Sequence, residues 1–139
     1  MRIVLDTNVL VSGLLRPLSP PGQITALVAA GSLSLCYDAR ILDEYRRVLL
    51  RERFGFDAER VAALLAQIAA AGSVVAAEPL TQRRTDPDDE PFLEVALAGG
   101  VRCLVTGNLR HFPPERCQGM VVLPPAEFLA AYRRERSAP

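Results

Sequence analysis

The chain opens on Arg2-Ile-Val-Leu-Asp-Thr-Asn8, a short apolar run cut off by three polar residues. Apolar residues without alternation are the pattern of a strand buried on both faces of a parallel sheet. Three residues are too few for periodicity to exclude a buried helical turn, but Asp-Thr-Asn form turns and helix caps, which favours a strand. Open parallel sheets bind ligands in the crevice beyond the carboxyl ends of their strands. Asp6 is expected at that crevice, half desolvated, where a carboxylate needs a partner and a hard divalent cation is the natural one. The competing reading is that Asp6 only caps the next helix.

The bulk numbers narrow the classes. At 139 residues the length prior gives one domain spanning 1–139, large enough for a core without staples. Half of the residues are hydrophobic, 6% are aromatic and Trp is absent, which describes the Ala/Leu/Val core of a helix-rich α/β protein. No apolar run reaches the length of a membrane span and no basic-then-apolar leader opens the chain, so a soluble, cytoplasmic protein is expected. Cys36, Cys103 and Cys117 are an odd, widely spaced set without a C-x-x-C pair, which argues against disulfides and zinc. The formal net charge is zero, so bulk charge does not mark a nucleic-acid binder. All 16 basic residues are Arg, a bias more in keeping with genome coding than with function.

Along the chain, Val9 to Leu15 keep helical spacing as far as Arg16, and Pro17, Pro20 and Pro21 then break it. A second helix is expected from about Pro21 to a cap at Gly31, followed by an alternating strand at Ser32–Cys36. Asp38 should cap a third helix, with Ile41, Leu42, Tyr45, Val48 and Leu49 on one stripe. Asp43 falls on the solvent side of that helix, whereas Glu44 falls at the stripe's border, directed toward the sheet. The alternative for Glu44 is a boundary pairing with Arg40, Arg47 or Arg51 at helical spacing. Phe54–Asp57 forms a loop and cap, Glu59–Ala71 an Ala-rich helix, Ser73–Ala76 a short strand and Glu78–Arg84 a loop. A last strand is expected at Met120–Leu123, then a helix from about Pro125 that gives way to a polar tail at Arg133.

The densest chemistry is Thr85-Asp-Pro-Asp-Asp-Glu-Pro-Phe92. Asp86 or Asp88 suits a helix cap, Pro91 is tolerated in a first turn, and the helix runs through Phe92, Leu93, Ala96 and Leu97 to Gly99 and Gly100. Asp89 precedes Phe92 and Leu93 by three and four residues, at the top of the buried face. The helix dipole accounts for two acids there but poorly for four in a five-residue span, whose repulsion calls for a cation. Cys103–Asn108 is then another strand that ends polar. Hard oxygen donors without a His/Cys set indicate Mg²⁺ or Mn²⁺ rather than zinc, and such a cage suits metal-assisted cleavage of a phosphodiester. His111, in a loop, is not expected to act as a base. No Ser or Cys nucleophile with an adjacent base and no Gly-rich phosphate loop is visible. Arg46, Arg47, Arg51 and Arg53 offer a phosphate-contacting patch, although a charged helix face is usually just solvated.

Taken together, Asp6-Thr-Asn-Val-Leu, Glu44-Tyr with Val48-Leu49, Asp86-Pro-Asp-Asp-Glu-Pro-Phe-Leu-Glu-Val-Ala96 and Leu104-Val-Thr-Gly-Asn-Leu-Arg-His-Phe112 resemble a PIN domain of the toxin–antitoxin kind. The likeness covers nearly the whole length, and it is the order and spacing of the four segments that make it specific. It implies a three-layer α/β/α sandwich around a parallel sheet, often a homodimer, with an Mg²⁺- or Mn²⁺-dependent ribonuclease site. It also implies an RNA substrate and a cognate antitoxin protein. Carried over by position, Asp6, Glu44 and Asp89 match the three main acids, and Asp86 an outer or second-metal acid. Many relatives have Asp where this chain has Asn108. The amide oxygen still coordinates but one negative charge is lost, so a single-metal mechanism is the expectation. The alternatives are a catalytically inactive RNA- or protein-binding module, which zero net charge and Asn108 favour, and a phosphohydrolase with Asp6 as nucleophile. The latter needs a second acid where Asn8 stands.

Overall fold

The computed structural model describes residues 1–79 and 87–137. The opening run forms β1 (Arg2–Leu5), and with β2 (Ser34–Tyr37), β3 (Ser73–Val74), β4 (Leu104–Val105) and β5 (Val122–Leu123) it makes an all-parallel sheet in the order β3-β2-β1-β4-β5. Ile3 stands opposite Leu35, while Val4 and Leu5 stand opposite Leu104 and Val105. Consecutive strand residues point to opposite faces, and Ile3, Val4 and Leu5 are all 0% exposed, so both faces of the central strand are covered. That is the three-layer α/β/α sandwich the apolar run demands.

Six helices supply the outer layers among the described residues: α1 (Thr7–Leu15), α2 (Pro20–Ala29), α3 (Ala39–Leu49), α4 (Ala58–Ala71), α5 (Glu90–Gly99) and α6 (Pro125–Ser137). Their starts follow local chemistry. Ser19 accepts from the Gly22 amide at 3.3 Å with prolines just inside α2, and Asp38 accepts from the Ile41 amide at 3.1 Å to begin α3. Gly100, at φ 56°, ends α5 in the left-handed conformation that glycine tolerates. Gly13 serves packing instead: a Cβ there would sit 2.3 Å from Thr25 Oγ1, so its absence lets α1 and α2 close on one another.

Several boundaries differ from the sequence reading. The second strand starts at Ser34, not Ser32, because the Ser32 and Leu33 amides bond to Leu27 O at 2.9 and 3.3 Å to close the turn after α2. Pro87–Asp89 forms a 3₁₀ turn, so Asp89 rather than Asp86 or Asp88 stands at the N-cap of α5, and its side chain makes no capping bond. The polar tail expected from Arg133 is helical through Ser137. Glu135 pairs with Arg102, and the Arg136 guanidinium lies 5.5 Å from the centroid of the Tyr132 ring. Among the described residues no helix is long and apolar enough to cross a membrane.

From β1 the chain steps outward through β2 to β3, then recrosses to β4 on the other side of β1. The strand order therefore reverses at β1, and the crevice beyond the carboxyl ends of β1 and β4 is the switch point where α/β sheets bind ligands. Asp6 and Thr106 are the first residues past those two ends.

Candidate active site

Asp6 follows the last strand residue, its amide still bonded to Val105 O at 2.9 Å, and is only 6% exposed. It occupies the N-cap position of α1 yet makes no side-chain capping bond, so the capping alternative does not describe it. Its Oδ2 instead accepts from Thr106 Oγ1 at 2.8 Å and from Asn8 Nδ2 at 3.3 Å. Burial pushes the Asp6 carboxyl above its ordinary value. The Thr106 hydroxyl, the nearby amides of Thr7 and Asn8 and the charge of His111 pull the other way without cancelling the rise.

Glu44 comes to the same rim from the middle of α3, half-buried, as the stripe border predicts. Its Oε2 accepts from the Thr7 hydroxyl. Of the arginines offered as alternative partners, Arg40 goes to Asp38 and Glu94, and Arg47 to Asp43 at 3.0 Å. Burial raises the Glu44 carboxyl, and the charges of Asp6 and Asp88 raise it further against Thr7 and Arg47. The next residue, Tyr45, fully buried, donates to Leu5 O at 2.6 Å and so pins α3 to the end of β1 one residue before Asp6. The neighbouring negative charges of Asp6 and Glu44 also help burial to raise the Tyr45 hydroxyl well above its usual range.

The acidic turn before α5 completes the rim and divides its labour. Asp88 is exposed and its charge acts on Glu44, whereas Asp89 is 7% exposed and its Oδ2 lies 3.2 Å from His111 Nδ1. Nε2 of the same ring lies 2.9 Å from Asn108 Nδ2, and where Nδ1 alone carries the ring proton it accepts from that amide. The Asn108 amide in turn donates to Thr106 Oγ1 at 3.0 Å, and the Gly107 amide donates to Asn8 Oδ1 at 3.1 Å. A chain of polar contacts thus runs from Asp89 through His111, Asn108 and Thr106 to Asp6. Asp86, the outer acid of the sequence reading, lies outside the described residues.

Thr7, Asn8, Thr106 and His111 are the rim residues that sequence reasoning passed over or discounted. The polar ends of β1 and β4 signalled the first three, but their partners lie far along the chain. Only folding shows that Asp6 meets Thr106.

Among the described residues no three His, Cys, Asp or Glu side chains stand, as placed, close enough together to hold one ion. The donor chemistry nonetheless fits a hard divalent cation. Asp6 and Glu44 are both raised by burial, Asp6 raises Glu44, and among the described residues neither forms an ion pair with an arginine. A cation would relieve that repulsion, and Mg²⁺ characteristically takes one or two carboxylates and keeps several waters. Asp6, Glu44 and Asp89 are the residues that could hold it, with Asn108 offering an amide oxygen. A hollow of about 700 Å³ lies elsewhere, between α2 and α4, lined by Leu14, Thr25, Phe56, Arg60 and Gln67; no rim carboxylate borders it.

A comparison with curated proteins finds no match. A family model described as PIN domain matches residues 2–110, from the start of β1 to the loop that carries His111. That span includes Asp6, Glu44, Asp89 and Asn108, and an all-parallel five-stranded sheet under helices is the sandwich such a domain builds. By sequence model and by architecture alike, this chain belongs to the PIN-domain family, whose fold is that of a nuclease.

Proposed function

We propose that the protein is a divalent-metal-dependent endoribonuclease, with Mg²⁺ or Mn²⁺ held by Asp6 and Asp89 and with Glu44 either ligating it or orienting the attacking water. The observation that carries this reading is the meeting of Asp6, Glu44 and the Asp88–Asp89 turn at one rim, where burial and mutual repulsion raise the first two carboxyls. When bound, the cation supplies an acidified water and neutralises charge building on the phosphate. The side chains do the rest. Thr106 and Asn8 fix the Asp6 carboxylate, and Thr7 fixes Glu44 so that it can take the proton from the water attacking phosphorus. As the new P–O bond forms, the bond to the leaving sugar oxygen breaks and that oxygen takes up a proton from solvent, to which Glu44 returns the one it removed. Asn108 in place of an acid lowers the rim's negative charge and favours one metal over two.

The test is cleavage of a mixed RNA pool in Mn²⁺. Asp6→Asn should abolish cleavage and leave the melting temperature close to that of the parent; unchanged cleavage would refute the assignment. A parent protein that binds RNA but never cuts it would support the second reading, an inactive binding module. That reading draws on Asn108 and on there being, among the described residues, no three acidic, His or Cys side chains grouped to hold one ion.

The finer biological role follows from the toxin-type likeness of the acid-bearing segments: a cytoplasmic toxin of a type II toxin–antitoxin pair, acting as a homodimer and silenced by its antitoxin. Co-expression with a small reading frame from beside the gene tests it. Relief of growth arrest by that product supports the role, and no arrest when this chain is expressed alone counts against it.

A further inference from the structure

We propose that Arg40 is a positioning residue, clamping α3 to α5 and so setting how Glu44 and the Asp88–Asp89 turn stand relative to one another at the rim. The proposal rests on the cation-dependent reading of the rim.

Glu94 is 4% exposed, an unusual place for an acid on a helix that packs against the sheet. A charge at that depth is tolerated when a guanidinium answers it. Arg40 reaches Glu94 Oε1 through Nη1 at 2.7 Å, while its Nε and Nη2 both take Asp38 Oδ2, at 2.8 and 2.7 Å. Asp38 is itself the cap of α3, through Oδ1 to the Ile41 amide at 3.1 Å. One planar fork therefore joins the first turn of α3 to the middle of α5. A lysine, with a single charged nitrogen, cannot reproduce that geometry.

The clamp is set close to the chemistry on both helices. Arg40 precedes Glu44 by one helical turn, about 6 Å along α3, and Glu94 follows Asp89 by about 7.5 Å along α5. The two helices also meet where Tyr45 packs against Phe92, ring centroids 6.4 Å apart. That contact sits on the buried stripe and has no directional bonds to fix rotation. The arginine fork does have them. The ion pairs of Arg40 go to Asp38 and Glu94, so its effect on the rim passes through the placement of the helices.

The experiment is Mn²⁺ calorimetry on the full chain, alongside RNA cleavage and thermal melting. Arg40→Met should weaken Mn²⁺ binding by about tenfold, the low end of the loss seen when groups supporting metal ligands are removed. It should lower kcat while leaving KM for RNA unchanged, and Arg40→Lys should recover only part of the loss. Should Arg40→Met fail to fold, Glu94→Gln removes the ion pair at constant volume and should weaken Mn²⁺ at least threefold. Ile68→Val, a buried change in α4, which carries no rim residue, should lower the melting temperature and leave Mn²⁺ affinity alone. Parent-like Mn²⁺ affinity in Arg40→Met or Glu94→Gln, with Asp6→Asn binding none, would overturn the proposal and leave the rim reading intact. An equal loss in Ile68→Val would also overturn it. If Asp6→Asn binds Mn²⁺ as the parent does, the rim reading itself falls and this proposal with it.

Discussion

Thr106→Val probes the join between the fold and the site. Thr106 is 0% exposed; its hydroxyl donates to Asp6 Oδ2 at 2.8 Å and accepts from the Asn108 amide at 3.0 Å. Valine has the same shape and can make neither bond. A lost hydrogen bond to a carboxylate costs about 1.5–3 kcal/mol, and a half-buried amide left without an acceptor adds about 1 kcal/mol. The extra methyl group returns less than about 1 kcal/mol, so the net loss should be about 2–3 kcal/mol. Over the 139 residues of the chain, 1 kcal/mol corresponds to about 3 °C, which sets the fall in melting temperature at about 6–9 °C. Urea unfolding of metal-free protein at pH 7 measures the energy directly. Thr106→Ser, which keeps the hydroxyl and drops a methyl, should lose only about 1 kcal/mol. If the valine variant unfolds within about 0.5 kcal/mol of the parent, the hydroxyl is not the link between β4 and Asp6 and the polar chain described above is not a structural unit.

The other expectations concern charge and packing. Asp6 and Glu44 are acids raised by burial, so each binds its proton more tightly folded than unfolded, and ionisation at neutral pH costs stability. The cost is relieved as pH falls through the raised values toward the ordinary carboxylate range. Metal-free protein should therefore gain stability between pH 7 and pH 5 relative to Asp6→Asn, and equal urea midpoint shifts in the two would contradict this. Gly13→Ala would place a Cβ 2.3 Å from Thr25 Oγ1 and 2.7 Å from Pro21 O, and should destabilise by about 1–3 kcal/mol; an unchanged melting curve would show that α1 and α2 are not held that closely.

Much of the fold was legible because it depends on local pattern. The unalternated Ile3-Val-Leu5 could only be satisfied by cover on both faces, and the polar residues after it marked the carboxyl end of a parallel strand. The stripe of α3 put Glu44 at its border, and the border turned out to face the rim. What stayed hidden depends on contacts across sequence. Thr106 and Asp6 are a hundred residues apart, and nothing local to either says that they bond. His111 looked like a loop residue because its partners, Asp89 and Asn108, come together only when α5 and the β4 loop meet. The Arg40–Glu94 pair was invisible for the same reason: helical spacing offered Glu44 as the near acid, whereas the fork takes Glu94 on another helix. From Arg133 the sequence reads as a polar tail at the end of the last helix, yet it stays helical through Ser137, where Glu135 finds Arg102 and Arg136 covers Tyr132.

The account stands on a cation gathered at the end of β1, and manganese anomalous scattering from crystals soaked in Mn²⁺ locates such an ion directly. The expected result is a peak within about 2.2 Å of an Asp6 carboxylate oxygen, with Glu44 and Asp89 reaching it directly or through water, and no such peak in Asp6→Asn. A map with Mn²⁺ bound elsewhere on the molecule and none at this rim would contradict it.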